Sequence, residues 1–412
     1  MTEAPLRRLR NEAHDELTKR ILPFWMNEAA DRRFGGAIGL ITEDGARVED
    51  APKGCVLHAR LLWTLSAAYR ALGDESYRAA AKQSAVHFAA HFIDPTFGGV
   101  FWMIDALGRP LDDRKHVYAQ AFAIYALVQH HAATGDQRSL DAAIAIFRLI
   151  EAHAYDAEHG GYEEAFSRDW KLLDDVRLSA VDANERRSMN THLHVLEAYT
   201  PLYAVWPDAR LRTRIESLLD LFMDRIIAPA GDHVIAFFTE EWQPRSTKIS
   251  FGHDIETSWL LVEAARALGD LPLIERTQSA AGGLAAAVLE QGVDAEHGGV
   301  FDELEDGHLD TDKEWWPQAE AIVGFLAAFQ DTGRGEYLEA ALGAWSFARD
   351  HLFDRKHGEW FRRVSRAGDE SRGGEKVGPW KCPYHNGRAC LEVIARVDAL
   401  LADATGPVAV QQ

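Results

Sequence analysis

Cysteine is nearly absent from this 412-residue chain: Cys55, Cys382 and Cys390 are its three. They are too few and too scattered for a disulfide framework, and they suit a reducing compartment, so a cytoplasmic location is expected. Basic residues are also short, 44 Lys and Arg against 64 Asp and Glu, for a formal charge of −20. Nucleic-acid phosphates and anionic membrane faces select basic surfaces, so neither is an expected partner. No stretch approaches the roughly 18 apolar residues of a membrane span. The charged N-terminus lacks the apolar segment of a signal peptide. A Gly-rich phosphate loop, a GxSxG elbow, a GxGxxG fingerprint after a strand and an HExxH helix are all missing. Neither a cofactor nor a metal is therefore expected.

What the chain does have is a repeat. Phe34-Gly-Gly-Ala, Phe97-Gly-Gly-Val, His159-Gly-Gly-Tyr, His297-Gly-Gly-Val and His357-Gly-Glu-Trp recur every 60 to 70 residues, with Gly231-Asp-His-Val a weaker sixth. Glycines there permit positive φ in a tight turn, and alternating apolar residues follow as a short strand. Two helical stretches separate successive hairpins. The first of each pair stops at Gly73, Gly135, Gly269 or Gly333, or is broken at Trp206-Pro207. Six helix–helix–hairpin units indicate a repeat architecture. Inner helices rich in Trp, His and charge favour a closed ring around a cavity over an open apolar stack. The expected fold is a single all-α domain over 1–412, an (α/α)6 barrel with hairpins at one rim. Outer helices leave room for a homodimer patch, although no stripe stands out.

Candidate chemistry sits at helix starts. His253 and Glu256 are three apart and share a helical face, so Glu256 could tune the imidazole or simply cap a buried helix. His192 and His194 are two apart, so at most one faces a given cavity. Asn190 or Thr191 is the expected cap of that helix. Cys382-Pro-Tyr-His385 with Cys390 has a passing zinc-like spacing but no close fourth ligand; a loop presenting His385 beside Trp380 is the better reading. Trp315-Trp316-Pro-Gln-Ala-Glu320 suits sugar stacking or plain core packing. Arg60 is either an outer ion-pair partner or an inward donor.

Asn190-Thr-His-Leu-His194, Phe251-Gly-His253-Asp-Ile-Glu256, Trp315-Trp-Pro-Gln-Ala-Glu320 and Trp380-Lys-Cys-Pro-Tyr-His385-Asn, in that order, resemble the N-acylglucosamine 2-epimerase superfamily. The match is best to its branch of cellobiose and mannose 2-epimerases, with D-mannose isomerases as relatives. The resemblance runs from about residue 15 to 400 and implies the same (α/α)6 fold. It also implies a cofactor-independent reaction at C2 of a reducing-end aldose, through a cis-enediolate. By that resemblance His253 and His385 form the acid/base pair on opposite walls of the cavity, His194 assists ring opening, and Arg60 holds the enediolate oxygen. Glu256 would orient His253, while Asn190, Tyr118, Trp316, Trp380 and Glu320 would bind the sugar. Rim loops at 302–312 and 364–378 would decide whether a second glucose unit fits. The same residues would serve an aldose–ketose isomerase of the mannose/fructose type, which is the alternative. An N-acylglucosamine 2-epimerase, a glycoside hydrolase using Asp254 and Glu320, and a non-catalytic sugar-binding barrel rank lower.

Overall fold

A computed structural model describes residues 3–404 of the chain; the expected domain limits of 1–412 extend past this at both ends. The described residues build twelve α-helices. Six of them, α2 (Cys55–Leu72), α4 (Val117–Thr134), α6 (Met189–Val205), α8 (Phe251–Leu268), α10 (Trp315–Thr332) and α12 (Tyr384–Ala404), form the inner ring. Each packs on the next, and α12 returns to α2. The outer helices α3 (Glu75–His91), α5 (Gln137–His153), α7 (Ala209–Leu221), α9 (Leu271–Ala287) and α11 (Gly335–Phe347) each cover the inner helix they follow. The sixth outer helix is α1 (Glu3–Glu16), which lies on α12. The molecule is an (α/α)6 barrel whose last pair is made from the two ends of the chain.

Local chemistry explains the pairing. α2 buries every residue from Cys55 to Ala68, as a helix packed on all sides must, whereas outer helices such as α5 bury one stripe. Four of the six inner helices end on left-handed glycines, Gly73 and Gly135 both at φ 73° and Gly269 and Gly333 both at φ 69°. An aspartate commonly restarts the chain: Asp74 Oδ1 accepts from the Ser76 amide at 2.8 Å, and Asp208 Oδ1 from the Arg210 amide at 2.8 Å. Each such cap contributes about 1 kcal/mol.

All six glycine hairpins are present, closed by the bridges Ala30–Ala37, Ile93–Val100, Tyr155–Tyr162, Ile227–Val234, Val293–Val300 and Phe353–Trp360. Short strands before the inner helices pair with strands that follow the outer ones, for example Lys53–Gly54 with Met103–Ile104 and Lys313–Glu314 with Arg363–Val364. Six small sheets therefore rim the N-terminal ends of the inner helices. The fourth residue of an inner helix then grips its hairpin. His58, Gln120, His192, Asp254 and Gln318 accept from the amides of Ala37, Val100, Tyr162, Val234 and Val300 at 2.7–3.1 Å.

A buried ion pair reinforces most units. Lys53 Nζ meets Asp31 at 2.6 Å, Lys115 Asp94 at 2.9 Å, Lys313 Asp294 at 3.2 Å and Lys376 Asp354 at 2.8 Å, while Arg187 meets Asp156. The fourth unit lacks it: at the aspartate position stands Ala228, and at the lysine position Ile249. Both partners have gone together, as expected when a lone buried charge costs more than a neutral pair. Lys53→Ile should therefore lower the unfolding free energy by about 3 kcal/mol. Adding Asp31→Ala, which copies the fourth unit, should recover part of that loss in urea melts; strictly additive losses would show that the pair is not coupled.

Candidate active site

The N-terminal turns of the inner helices open onto a cavity of about 960 Å³. Tyr118, Asn190 and Trp316 are second residues of their helices, His385 is the second of α12 and His253 the third of α8. One turn deeper, at the sixth position, lie Arg60, His194 and Glu256. All eight, with Trp380, line the cavity. Segments from 178–183, 244–248 and 302–305 complete its mouth. Of the two rim loops singled out by sequence, 302–312 contributes its start and 364–378 contributes no lining residue.

His253 and His385 do not stand on opposite walls. Their helices, α8 and α12, are separated in the ring by α10, and the two imidazoles flank the Trp316 ring at centroid distances of 4.7 and 5.7 Å. His253 Nδ1 is hydrogen-bonded to Ser250 Oγ at 2.9 Å. Glu256 does not orient His253: its Oε1 accepts from Arg388 Nη2 at 2.7 Å. Nor does Glu320 line the sugar cavity. It is fully buried, with Oε1 accepting from His385 Nδ1 at 2.6 Å and from Arg388 Nη2 at 2.7 Å. With Nδ1–H donated to Glu320, a neutral His385 ring presents the Nε2 lone pair to the cavity.

A matching pair lies on α6. His194 Nδ1 meets Glu197 Oε2 at 2.8 Å, and the other oxygen of Glu197 accepts from Arg388 and from the Tyr384 hydroxyl. Arg388 thus joins two histidine–glutamate pairs and Glu256. Its guanidinium also lies 4.2 Å from the Tyr384 ring centre and 4.8 Å from that of Trp259. Glu197, Tyr384 and Arg388 were missed by sequence reasoning. The available signal was spacing: Glu197 is three after His194, and Arg388 three after His385.

His192 is structural, held by Ser188 O and the Tyr162 amide, and Ser188 caps α6 in place of Asn190 or Thr191. Asp254 is likewise committed, to His233 Nδ1 at 2.7 Å and to the Val234 amide, which removes it as a hydrolase carboxylate. The zinc-like spacing does not assemble either: Cys382 Sγ lies 3.9 Å from Arg60 Nη1, and His385 Nδ1 belongs to Glu320.

Arg60 makes no ion pair among the described residues. It donates to Tyr118 Oη at 2.8 Å and stacks over Phe122 and Tyr384, at 4.2 and 4.7 Å. A buried cation without a carboxylate, at the floor of an open cavity, is placed to receive an anionic oxygen. Burial, aided by His194, lowers the His253 pKa to about 3. Burial and the charges of Arg60 and Arg388 push His385 well below its ordinary value. Burial lowers His194 too, against the pull of Glu197. The three rings are therefore neutral bases at pH 7. Burial works upward on Glu197, but Arg388 and the His194 hydrogen bond overcome it and hold the carboxyl at about 2. Burial, then the charge of Glu320, raises Glu256 to about 8.

Glu256, Glu320 and His385 place ligand atoms close enough for a metal ion, but Arg388 Nη2 already bridges the two carboxylates. Replacing Arg388 by Met should cost about 3 kcal/mol or more in urea unfolding, because three buried carboxylates lose their one cation. The loss should be larger at pH 8 than at pH 5.5, where abandoned carboxylates escape by taking up protons. A loss independent of pH would contradict this.

The family model for N-acylglucosamine 2-epimerase (GlcNAc 2-epimerase) matches residues 36–389. A cellobiose 2-epimerase of Bacteroides fragilis is 45% identical over 387 residues, spanning 94% of this chain and 98% of that relative. One of Dictyoglomus turgidum is 38% identical, spanning 95% and 100%. The solved cellobiose 2-epimerase of Bacillus thermoamylovorans superposes with a TM-score of 0.90 at 38% identity, covering 95% of this chain and all of that one.

Proposed function

This chain belongs to the N-acylglucosamine 2-epimerase family, and we propose that it inverts C2 of a reducing-end aldose, without cofactor, by proton transfer between two histidines. The substrate we infer is a cellobiose-type disaccharide, with mannose or glucose as smaller alternatives. What carries this reading is one juxtaposition. Two neutral imidazoles flank Trp316 in the same cavity as Arg60, a buried cation with no ion pair among the described residues. The cavity volume, at the upper end of the range for small-molecule sites, supports a substrate larger than one sugar ring.

One imidazole takes the C2 proton of the open-chain aldose. The electron pair moves into the C1–C2 bond and onto O1, where Arg60 meets the developing negative charge. The six inner helices also point their N-terminal, partially positive ends toward this rim. The first imidazole gives the C2 proton up to water, the second takes one up in exchange and returns it to the other face of C2, and the epimer results. Trp316 and Trp380 offer ring faces to the sugar. Three buried, unpaired cysteines support a cytoplasmic enzyme.

The reading is tested by incubating mannose and cellobiose in deuterated water. Epimer carrying deuterium at C2 is expected; a ketose labelled at C1 would reassign the enzyme as an isomerase, and no turnover of any free aldose would remove both assignments. His253→Asn and His385→Asn should each lower kcat by about 10³-fold with the fold intact by circular dichroism.

The pH profile follows from burial. The imidazoles must be neutral to abstract a proton, and their pKa values lie below the ordinary 6.5. In the free enzyme kcat/KM should hold steady from neutrality down to about pH 6 and fall only below it. An acid limb centred at 6.5 or above would be the wrong result.

A further inference from the structure

The C2 chemistry begins from an open chain, yet aldoses in water are almost wholly cyclic. Opening the ring requires a base to remove the O1 proton and an acid to protonate O5 as the C1–O5 bond breaks. The bases are present in excess. In the resting site the histidines are neutral and Arg60 keeps its proton, so an acid that is ready before any base has been charged comes from elsewhere.

The floor of the cavity holds another source. Glu197, Glu256 and Glu320 converge on Arg388, and the exposures of these four residues are 4%, 1%, 0% and 1%. Three ionised carboxylates around one guanidinium, out of water, leave negative charge uncompensated, so one of them is held as the acid. Hydrogen bonding selects which. Glu197 has both oxygens occupied, by Arg388 and Tyr384 on one side and His194 on the other. Glu320 likewise uses both, on His385 and Arg388 and on Trp259 Nε1 at 3.3 Å. Glu256 meets no imidazole. Its Oε1 accepts from Arg388, and its Oε2 has no partner among the described residues, while the side chain lines the cavity.

Resting on the sugar-epimerase reading, we propose that Glu256 is a protonated carboxylic acid in the free enzyme and opens the sugar ring by giving its Oε2 proton to O5. His194 is the matching base: it takes the O1 proton, the C1–O5 bond breaks, and C1=O1 forms, so one proton leaves the sugar and one arrives. The two side chains occupy the same sixth position on the neighbouring helices α6 and α8. The upward shift of Glu256 agrees with this placement. Glu256→Gln has the shape of the acid and its hydrogen-bond donor but no proton to transfer.

Two measurements test this. Infrared spectra of the wild-type enzyme at neutral pH should show a carboxylic-acid C=O band that is absent from Glu256→Gln; identical spectra in that region would overturn the proposal. In polarimetry with freshly dissolved α-glucose or α-cellobiose, the wild-type enzyme should accelerate anomerisation, and Glu256→Gln should lose about 10²-fold of that acceleration. No acceleration by the wild type, or full acceleration by Glu256→Gln, would equally overturn it. Neither readout requires C2 to react, so failure here is distinguishable from failure of the epimerase reading. A merely structural Glu256 would leave the anomerisation rate unchanged at equal folded fraction.

Discussion

Arg388 is the one cation on which the floor of this site depends. Two of the three buried glutamates it serves each hold an imidazole by Nδ1, so its guanidinium indirectly fixes the ring orientation of His194 and His385. Removing such a charge from water is costly, and at Arg388 carboxylates on both Nη atoms offset the cost, while Nε has no partner among the described residues. Arg388 belongs to the last helix, α12, and α12 is covered by the first, α1. The glutamates on α6, α8 and α10 therefore find their common partner only when α12 closes the inner ring.

The repeat divides its labour by position along each inner helix. The fourth residue grips the preceding hairpin in five units and is unavailable for chemistry, which accounts for His58, His192 and Asp254. Tyr118, Asn190, Trp316 and His385 at second positions, His253 at a third, and Arg60, His194 and Glu256 at sixth positions look into the cavity and differ in type. Polar groups of unlike function are thereby set on one scaffold whose stability rests elsewhere, on the buried Lys–Asp pairs and the helix caps. The fourth unit drops the ion pair as a whole. It also carries His253 and Glu256, and it is held at its hairpin by the Asp254–His233 contact instead.

The ring was legible because its punctuation is local. A left-handed glycine, an aspartate cap and a glycine hairpin each depend on a few adjacent residues, and their recurrence counts the units. The roles of Glu256 and Glu320 were not legible. His194–Glu197 and His253–Glu256 share the same i, i+3 spacing, but only the first pair bonds. Glu256 turns to Arg388, 132 residues away, and His253 is held by Ser250 instead. Glu320 reaches His385 across 65 residues and Arg388 across 68, pairings that no local spacing announces.

The sequence alone determined the six-unit helical ring, the family and the set of side chains that gather at one rim. These follow from short-range conformational preference and from the period with which it repeats. Only the tertiary structure decided that the histidines flank Trp316 rather than oppose one another, that Arg60 has no ion pair among the described residues, and that three glutamates share Arg388. Pairings between charges on different helices depend on distance and desolvation in the closed barrel, and neither quantity is written in the spacing of residues along the chain.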